Sequence, residues 1–188
     1  TGAWALRSRG KRVWLTRSED GGRTWTTRPL RVGGFERPAV DVDFADAADG
    51  VVSGLRPGDA PFLLVTRDGG QKWDNVYPKL QAAGLPGPRW VASVEPSRAK
   101  DGRCYVVLDG HRSDDDRPHV FATEDFGQTW QPLAATLPAV GSTRVLREDI
   151  TNPELLYVGT EFGIFVSANR GKTWAKLNNN LPTVAIHE

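Results

Sequence analysis

Residues Ser18–Trp25 read SEDGGRTW, and the pattern returns three times: TRDGGQKW at Thr66–Trp73, TEDFGQTW at Thr123–Trp130 and SANRGKTW at Ser167–Trp174. The shared order is Ser/Thr, any residue, Asp/Asn, any residue, Gly, any residue, Thr/Lys, Trp. The four tryptophans stand 48, 57 and 44 residues apart. One such octamer would carry little weight. Four in register define an internal repeat whose length is that of a four-stranded antiparallel unit, not of a helical or leucine-rich repeat.

Each residue type has a mechanical role. The octamers follow runs rich in β-branched and aromatic residues: VWLTRS, FLLVTR, HVFATE and IFVSAN. The octamer is therefore a hairpin turn. The carboxylates of Asp20, Asp68 and Asp125 accept bonds from later backbone N–H groups and close an Asx-type turn. Asn169 fills that position in the last copy, which suits a hydrogen-bonding role better than a charged one. Gly22, Gly70, Gly127 and Gly171 hold the position most in need of positive φ. Trp25, Trp73, Trp130 and Trp174 begin the return strand and offer an apolar face to a neighbouring sheet. Calcium ligation by the turn aspartates would need more clustered oxygens than each turn supplies.

Working outward, the chain predicts an all-β fold, a β-propeller of four-stranded antiparallel blades, four per chain, in a single domain spanning 1–188. Blade two covers about 38–78, blade three about 88–134 and blade four about 142–178, each with its octamer between the third and fourth strands. Blade one, about 3–31, offers only three strands. The tail TVAIHE (183–188) has the alternation of a first strand and is expected to close blade one. Two closures fit: a four-bladed ring within one chain, or half of an eight-bladed ring in a homodimer. The dimer is the favoured expectation, because four blades force steep curvature.

Composition narrows the function. The 188 residues carry 24 Lys+Arg against 23 Asp+Glu, a formal charge of +1, so no global field steers the chain to nucleic acid or an anionic membrane. No apolar run is long enough to span a bilayer, so no membrane insertion is expected. The single cysteine, Cys104, excludes an intramolecular disulfide and a cysteine-built zinc site. No signal peptide is recognised and there is no methionine, so a processed chain or a piece of a longer one is expected. A secreted or periplasmic bacterial location is compatible with this composition. No cofactor and no metal are expected.

The octamers resemble the Asp-box, or bacterial neuraminidase repeat, found in sialidases, xyloglucanases, sortilin-type receptors and photosystem assembly factors. Residues 88–188, with WVASVEPS, YVVLDGHRSDD, LYVGTEFGIFVS and LNNNLPTV, resemble the sortilin-like or glycosyl-hydrolase-like bacterial proteins. The first half, with AWALRS and its octamer, is similar to the assembly-factor type. The resemblance implies a propeller. It implies little about chemistry, because one fold hosts many functions.

Ligands are expected where the loops after second strands and between blades converge. The richest such loop is DGHRSDDDRPH, Asp109–His119. His111 and His119 with its aspartates read either as a metal or acid–base cluster or as a solvated extension. Asp109 and Glu161, at equivalent strand ends of adjacent blades, are the candidate catalytic pair, since glycosidases place two carboxylates across a bond. Arg37, Arg89, Trp90, His111, Arg112 and His119 are the candidate ligand-binding residues, with Trp90 a platform or an inner-ring packing residue. The sialidase Phe/Tyr-Arg-Ile-Pro signature is only echoed by Phe35-Glu36-Arg37-Pro38, and no xyloglucanase catalytic-Asp motif is matched. Tyr105 and Tyr157 read as core, Tyr77 as the end of an outer strand and Cys104 as a small buried residue. The expected function is a non-catalytic module that binds a protein or glycan at its loop-rich face. The alternative is a carbohydrate-active glycoside hydrolase, or a fragment of one.

Overall fold

The computed structural model describes residues 3–9, 12–30, 40–56, 60–178 and 183–186. The chain divides into two compact units, residues 1–78 and 79–188.

In the first unit, β1 (Ala3–Arg9), β2 (Arg12–Ser18) and β3 (Thr26–Leu30) form a three-stranded sheet. A second sheet follows from β4 (Val40–Phe44), β5 (Gly50–Arg56), β6 (Ala60–Thr66) and β7 (Asp74–Asn75). The second unit holds two more sheets. One is β8 (Trp90–Pro96), β9 (Cys104–Asp109), β10 (His119–Thr123) and β11 (Gln131–Pro132). The other is β12 (Thr143–Glu148), β13 (Leu156–Thr160), β14 (Gly163–Ser167) and β15 (Ala175–Lys176). Every pairing is an antiparallel neighbour-to-neighbour meander. The all-β expectation and the count of four sheets hold, as does the three-strand content of the first.

Each octamer sits between the last two strands of its sheet and is closed by side chains. The first-position hydroxyls of Ser18, Thr66, Thr123 and Ser167 donate to the Asp or Asn two residues on, at 2.8–2.9 Å. Each accepts the N–H of the turn glycine at 2.7–2.9 Å. The same Asp or Asn oxygen accepts the N–H of the seventh residue at 2.8–2.9 Å. The backbone N–H of Thr24 foremost holds the Asp20 carboxyl down at about 2. For Asp125, partial burial works against the bonds from Thr129 and Thr123, which still lower it to about 2.

The glycine expectation holds, with an addition. Gly127 and Gly171 have φ of +77° and +79°, but the residue before each is left-handed too, and there it is Phe126 (+59°) and Arg170 (+56°). This strained position docks the turn. The N–H groups of Gly69, Phe126 and Arg170 each donate at 2.9 Å to the carbonyls of Ala48, Gly102 and Glu154, in the hairpin between the first two strands of the same sheet.

The cores are sandwiched between successive sheets. In the first unit Val13 and Leu30 meet Val52, Phe62 and Leu64, with Leu6, Val42 and Trp73 alongside. In the second, Tyr105, Val107 and Val120 meet Leu146, Val158, Phe165 and Trp174. The indole N–H of Trp174 donates to the Leu133 carbonyl at 2.8 Å, fastening the last turn to the preceding sheet. Trp25 departs from expectation: it is 47% exposed, because within its unit no sheet precedes the first. At the octamer end, buried Glu148 accepts from Ser97 at 2.6 Å and from the Tyr105 hydroxyl at 3.3 Å, and burial pushes that phenol's pKa up.

Two tyrosine readings are corrected. Tyr157 is 37% exposed: it pairs with Arg147 and Val166 on the face opposite the core-facing Leu156 and Val158. Tyr77 does not end a strand but opens α1 (Tyr77–Ala82), where it is buried and its N–H bonds the Asn75 side chain. Cys104 is buried, as read. Of the tail 183–188, residues 183–186 form no strand, and Ile186 donates its N–H to Thr160 at 3.0 Å. Residues 187–188 lie outside the described residues, as does Arg37 with its Phe35–Pro38 surroundings.

Candidate functional site

The second unit brings three segments together: the β9–β10 loop, the β11–β12 connection and the β13–β14 turn. Gly141 donates its N–H to the Asp116 carbonyl at 2.7 Å, and Glu161 to the Ser142 carbonyl at 3.2 Å. The buried Thr143 hydroxyl lies 3.1 Å from the carbonyls of both Leu108 and His119, locking sheet to sheet below the loops.

The β9–β10 loop begins with a 3-10 turn at His111–Ser113, and Asp114 follows at φ +51°. That reversal aims Asp115 inward against Gly110, where a side chain on residue 110 would overlap the Asp115 backbone. The buried Asp115 carboxylate is the hub of the loop. It takes Arg117 Nε at 2.7 Å, Arg89 Nη2 at 2.7 Å and His119 Nε2 at 2.9 Å. The Arg117 bonds foremost, with Arg89 and His119 and against the cost of burial, hold this carboxyl far below the usual carboxylate range. Burial pushes the His119 imidazole below its ordinary value, although Asp115 pulls the other way. Arg89 and His119, two of the expected ligand-binding residues, thus serve as internal supports of the loop.

Asp109 and Glu161, the expected carboxylate pair, are brought to one group that the sequence reading missed. Arg144 donates one terminal nitrogen to Asp109 Oδ2 and the other to Glu161 Oε1. The cause is a bulge. The β12–β13 register slips between Thr143 and Val145, so Arg144 is the extra residue and turns toward the loops. Nothing in TRVLRED marks that slip, since the alternation alone would accept several registers.

Above this bridge His111 is exposed. Its Nδ1 lies 3.0 Å from Asp116 Oδ1 and 4.0 Å from Glu161 Oε1. The Asp116 hydrogen bond foremost, then the Glu161 charge, raise the His111 pKa. One donor atom from each of the three lies within 4.8 Å of the others, an arrangement of one imidazole and two carboxylates.

Beside it, Trp90 pairs with Asp109 across β8 and β9, and the Arg112 guanidinium stands 5.2 Å from the Trp90 ring. Phe162, 44% exposed, follows Glu161, and its ring abuts Gly141; Val140, next in the chain to Gly141, is exposed too. The loop end therefore combines an arginine-capped indole, two exposed apolar side chains and a charged cluster. Asp109, Glu161, Arg89, Trp90, His111, Arg112 and His119 all belong to this one region.

Four antiparallel sheets in meander order, each with its turn in the same place, match the architecture of β-propellers. The chain matches no family model and no curated protein. Solved structures do match. YCF48 bound to D1 peptide aligns with TM-score 0.55 and 24% identity, over 77% of this chain and 42% of that one. A GH74 enzyme of Niastella koreensis aligns with TM-score 0.65 and 18% identity, over 93% of this chain and 27% of that one. The GH74 xyloglucanase of Xanthomonas campestris aligns with TM-score 0.62 and 18% identity, over 95% and 28%. The chain spans less than half the length of each. At these identities the likeness is one of fold.

Proposed function

We propose that this chain is an Asp-box β-propeller segment that binds a protein partner, without catalysis, at the loop end of the second unit. The observation that carries this reading is Arg144. Its guanidinium is committed to both candidate carboxylates, so neither Asp109 nor Glu161 is placed as an unpaired acid or nucleophile. Around them stand side chains of the kind enriched in recognition surfaces, an aromatic capped by arginine and exposed Phe162 and Val140. A structural neighbour described as bound to a peptide supports the same reading. In this proposal the ligand is an extended peptide and a glycan is the competing class. The GH74 neighbours favour a glycoside hydrolase fragment as the second reading.

The test is direct. A peptide array and a glycan array are probed with the full chain and with Trp90→Ala and Phe162→Ala. Selective peptide binding that both substitutions weaken supports the proposal. Binding confined to glycans, or turnover on a β-glucan panel that Asp109→Ala or Glu161→Ala abolishes, overturns it. The homodimer closed by terminal strands is a separate part of the proposal, checked by whether light scattering gives twice the 20.6 kDa chain mass.

A further inference from the structure

We infer that His111, Asp116 and Glu161 form a binding site for a divalent transition-metal ion of the zinc, cobalt and nickel group. The inference goes beyond the peptide-binding reading and does not depend on it. The three donors come from two sheets: His111 and Asp116 from the β9–β10 loop, Glu161 from the β13–β14 turn. Their donor atoms lie within 4.8 Å of one another, close enough for one ion to take all three after small side-chain rotations.

The site is held from outside by bonds that a solvated charge cluster would not need. The Asp116 carbonyl is pinned by the Gly141 N–H at 2.7 Å, and the Glu161 N–H by the Ser142 carbonyl at 3.2 Å. The His111 N–H is held by Asp109 Oδ1 at 2.9 Å. Asp115, buried between Asp114 and Asp116, anchors the whole loop through Arg89, Arg117 and His119. Next to Glu161's backbone partner, the Ser142 hydroxyl is fully buried and has no hydrogen-bond partner.

The local charge favours a cation. Asp109, Asp116 and Glu161 bring three carboxylates together, two of them bridged by the Arg144 guanidinium, while His111 is neutral when its proton is displaced. Arg144 engages Glu161 through Oε1, the oxygen that also lies 4.0 Å from His111 Nδ1, so the guanidinium acts as the outer partner that orients a ligating carboxylate. One imidazole nitrogen with two carboxylate oxygens is a donor set for a borderline divalent ion rather than for calcium, which takes oxygens alone. Three protein ligands leave a fourth position open to water or to a group of a bound partner.

The full chain, stripped with EDTA, is titrated with zinc chloride by calorimetry and with cobalt chloride by visible absorption at pH 7.5. One equivalent of each is expected to bind. His111→Ala and Asp116→Asn should each weaken binding by about tenfold or more, at unchanged melting temperature of the apo chain, since both side chains are solvent-facing. Arg98→Ala, an exposed position in the hairpin between β8 and β9 and outside the loop end, should bind as the parent does. Binding should weaken as the pH is lowered, because the proton on His111 competes with the ion. Several weak equivalents, no binding at all, or unaltered binding by His111→Ala would each overturn the site.

Discussion

Asp115 and His119, four residues apart, share a buried hydrogen bond of 2.9 Å, and the same carboxylate oxygen also takes Arg89 at 2.7 Å. Removing the carboxylate takes a partner from the largely buried Arg89 guanidinium and from the buried His119 imidazole together. Asp115→Ala is therefore expected to cost about 3 kcal/mol, the scale of breaking a buried pair by deleting one partner. Urea unfolding followed by tryptophan fluorescence measures it; a loss below 1 kcal/mol would show the hub to be dispensable.

The same pair sets a pH dependence. Burial depresses the His119 pKa in the folded chain, so the unfolded chain binds that proton more readily. The contribution of His119 to stability is intact above the unfolded value of about 6.5 and is lost as pH falls below it. Melting temperature should therefore fall between pH 7 and pH 5. His119→Gln should flatten the profile in that window, leaving the separate acid limb that begins below about pH 4, where the unfolded chain's Asp115 carboxyl takes up its proton while the folded one stays ionised.

Asp125 and Asn169 hold equivalent places and make equivalent bonds, to the N–H of Thr129 at 2.8 Å and of Thr173 at 2.9 Å. An amide oxygen thus does the same work as a carboxylate. Asp125→Asn should cost little, whereas Asp125→Ala loses the closure and should cost about 1 kcal/mol. Equal losses in the two variants, read by thermal unfolding, would mean that charge rather than hydrogen bonding holds the turn.

Gly171 adopts φ +79°, and an added Cβ would come within 2.8 Å of Leu133 Cδ1. Gly171→Ala should destabilise by about 1–2 kcal/mol from left-handed strain alone. Arg170, one residue earlier at φ +56°, already carries that strain, so Arg170→Gly should be neutral or stabilising. If both substitutions move the melting temperature alike, the two positions are not strained as described.

Arg144 leads to a functional expectation. Arg144→Ala removes the guanidinium that bridges Asp109 and Glu161. Glycoside turnover should stay absent in the parent chain and in this variant, assayed on aryl glycosides and xyloglucan. Activity in the parent lost on Asp109→Ala would favour the hydrolase reading instead.

The sequence by itself determined the repeating sheet. Its octamers close each turn through side-chain bonds between residues two to four apart, so Ser18–Trp25 can be read as a turn from its own residues. The alternating runs then set the strands, and AWALRSR and RVWLTRS coincide with β1 and β2. What tertiary structure alone decided is which residues meet. Tyr105 and Tyr157 sit in similar strands, yet one is buried and the other exposed, because a single step along a strand reverses the face. Arg144 reaches Asp109, 35 residues away, through a bulge that no local pattern announces. Glu161 meets His111 only because two sheets pack with their loops at one end. A turn is a short-range minimum and can be read from its own residues. A site assembled from separate sheets depends on the packing of everything between them.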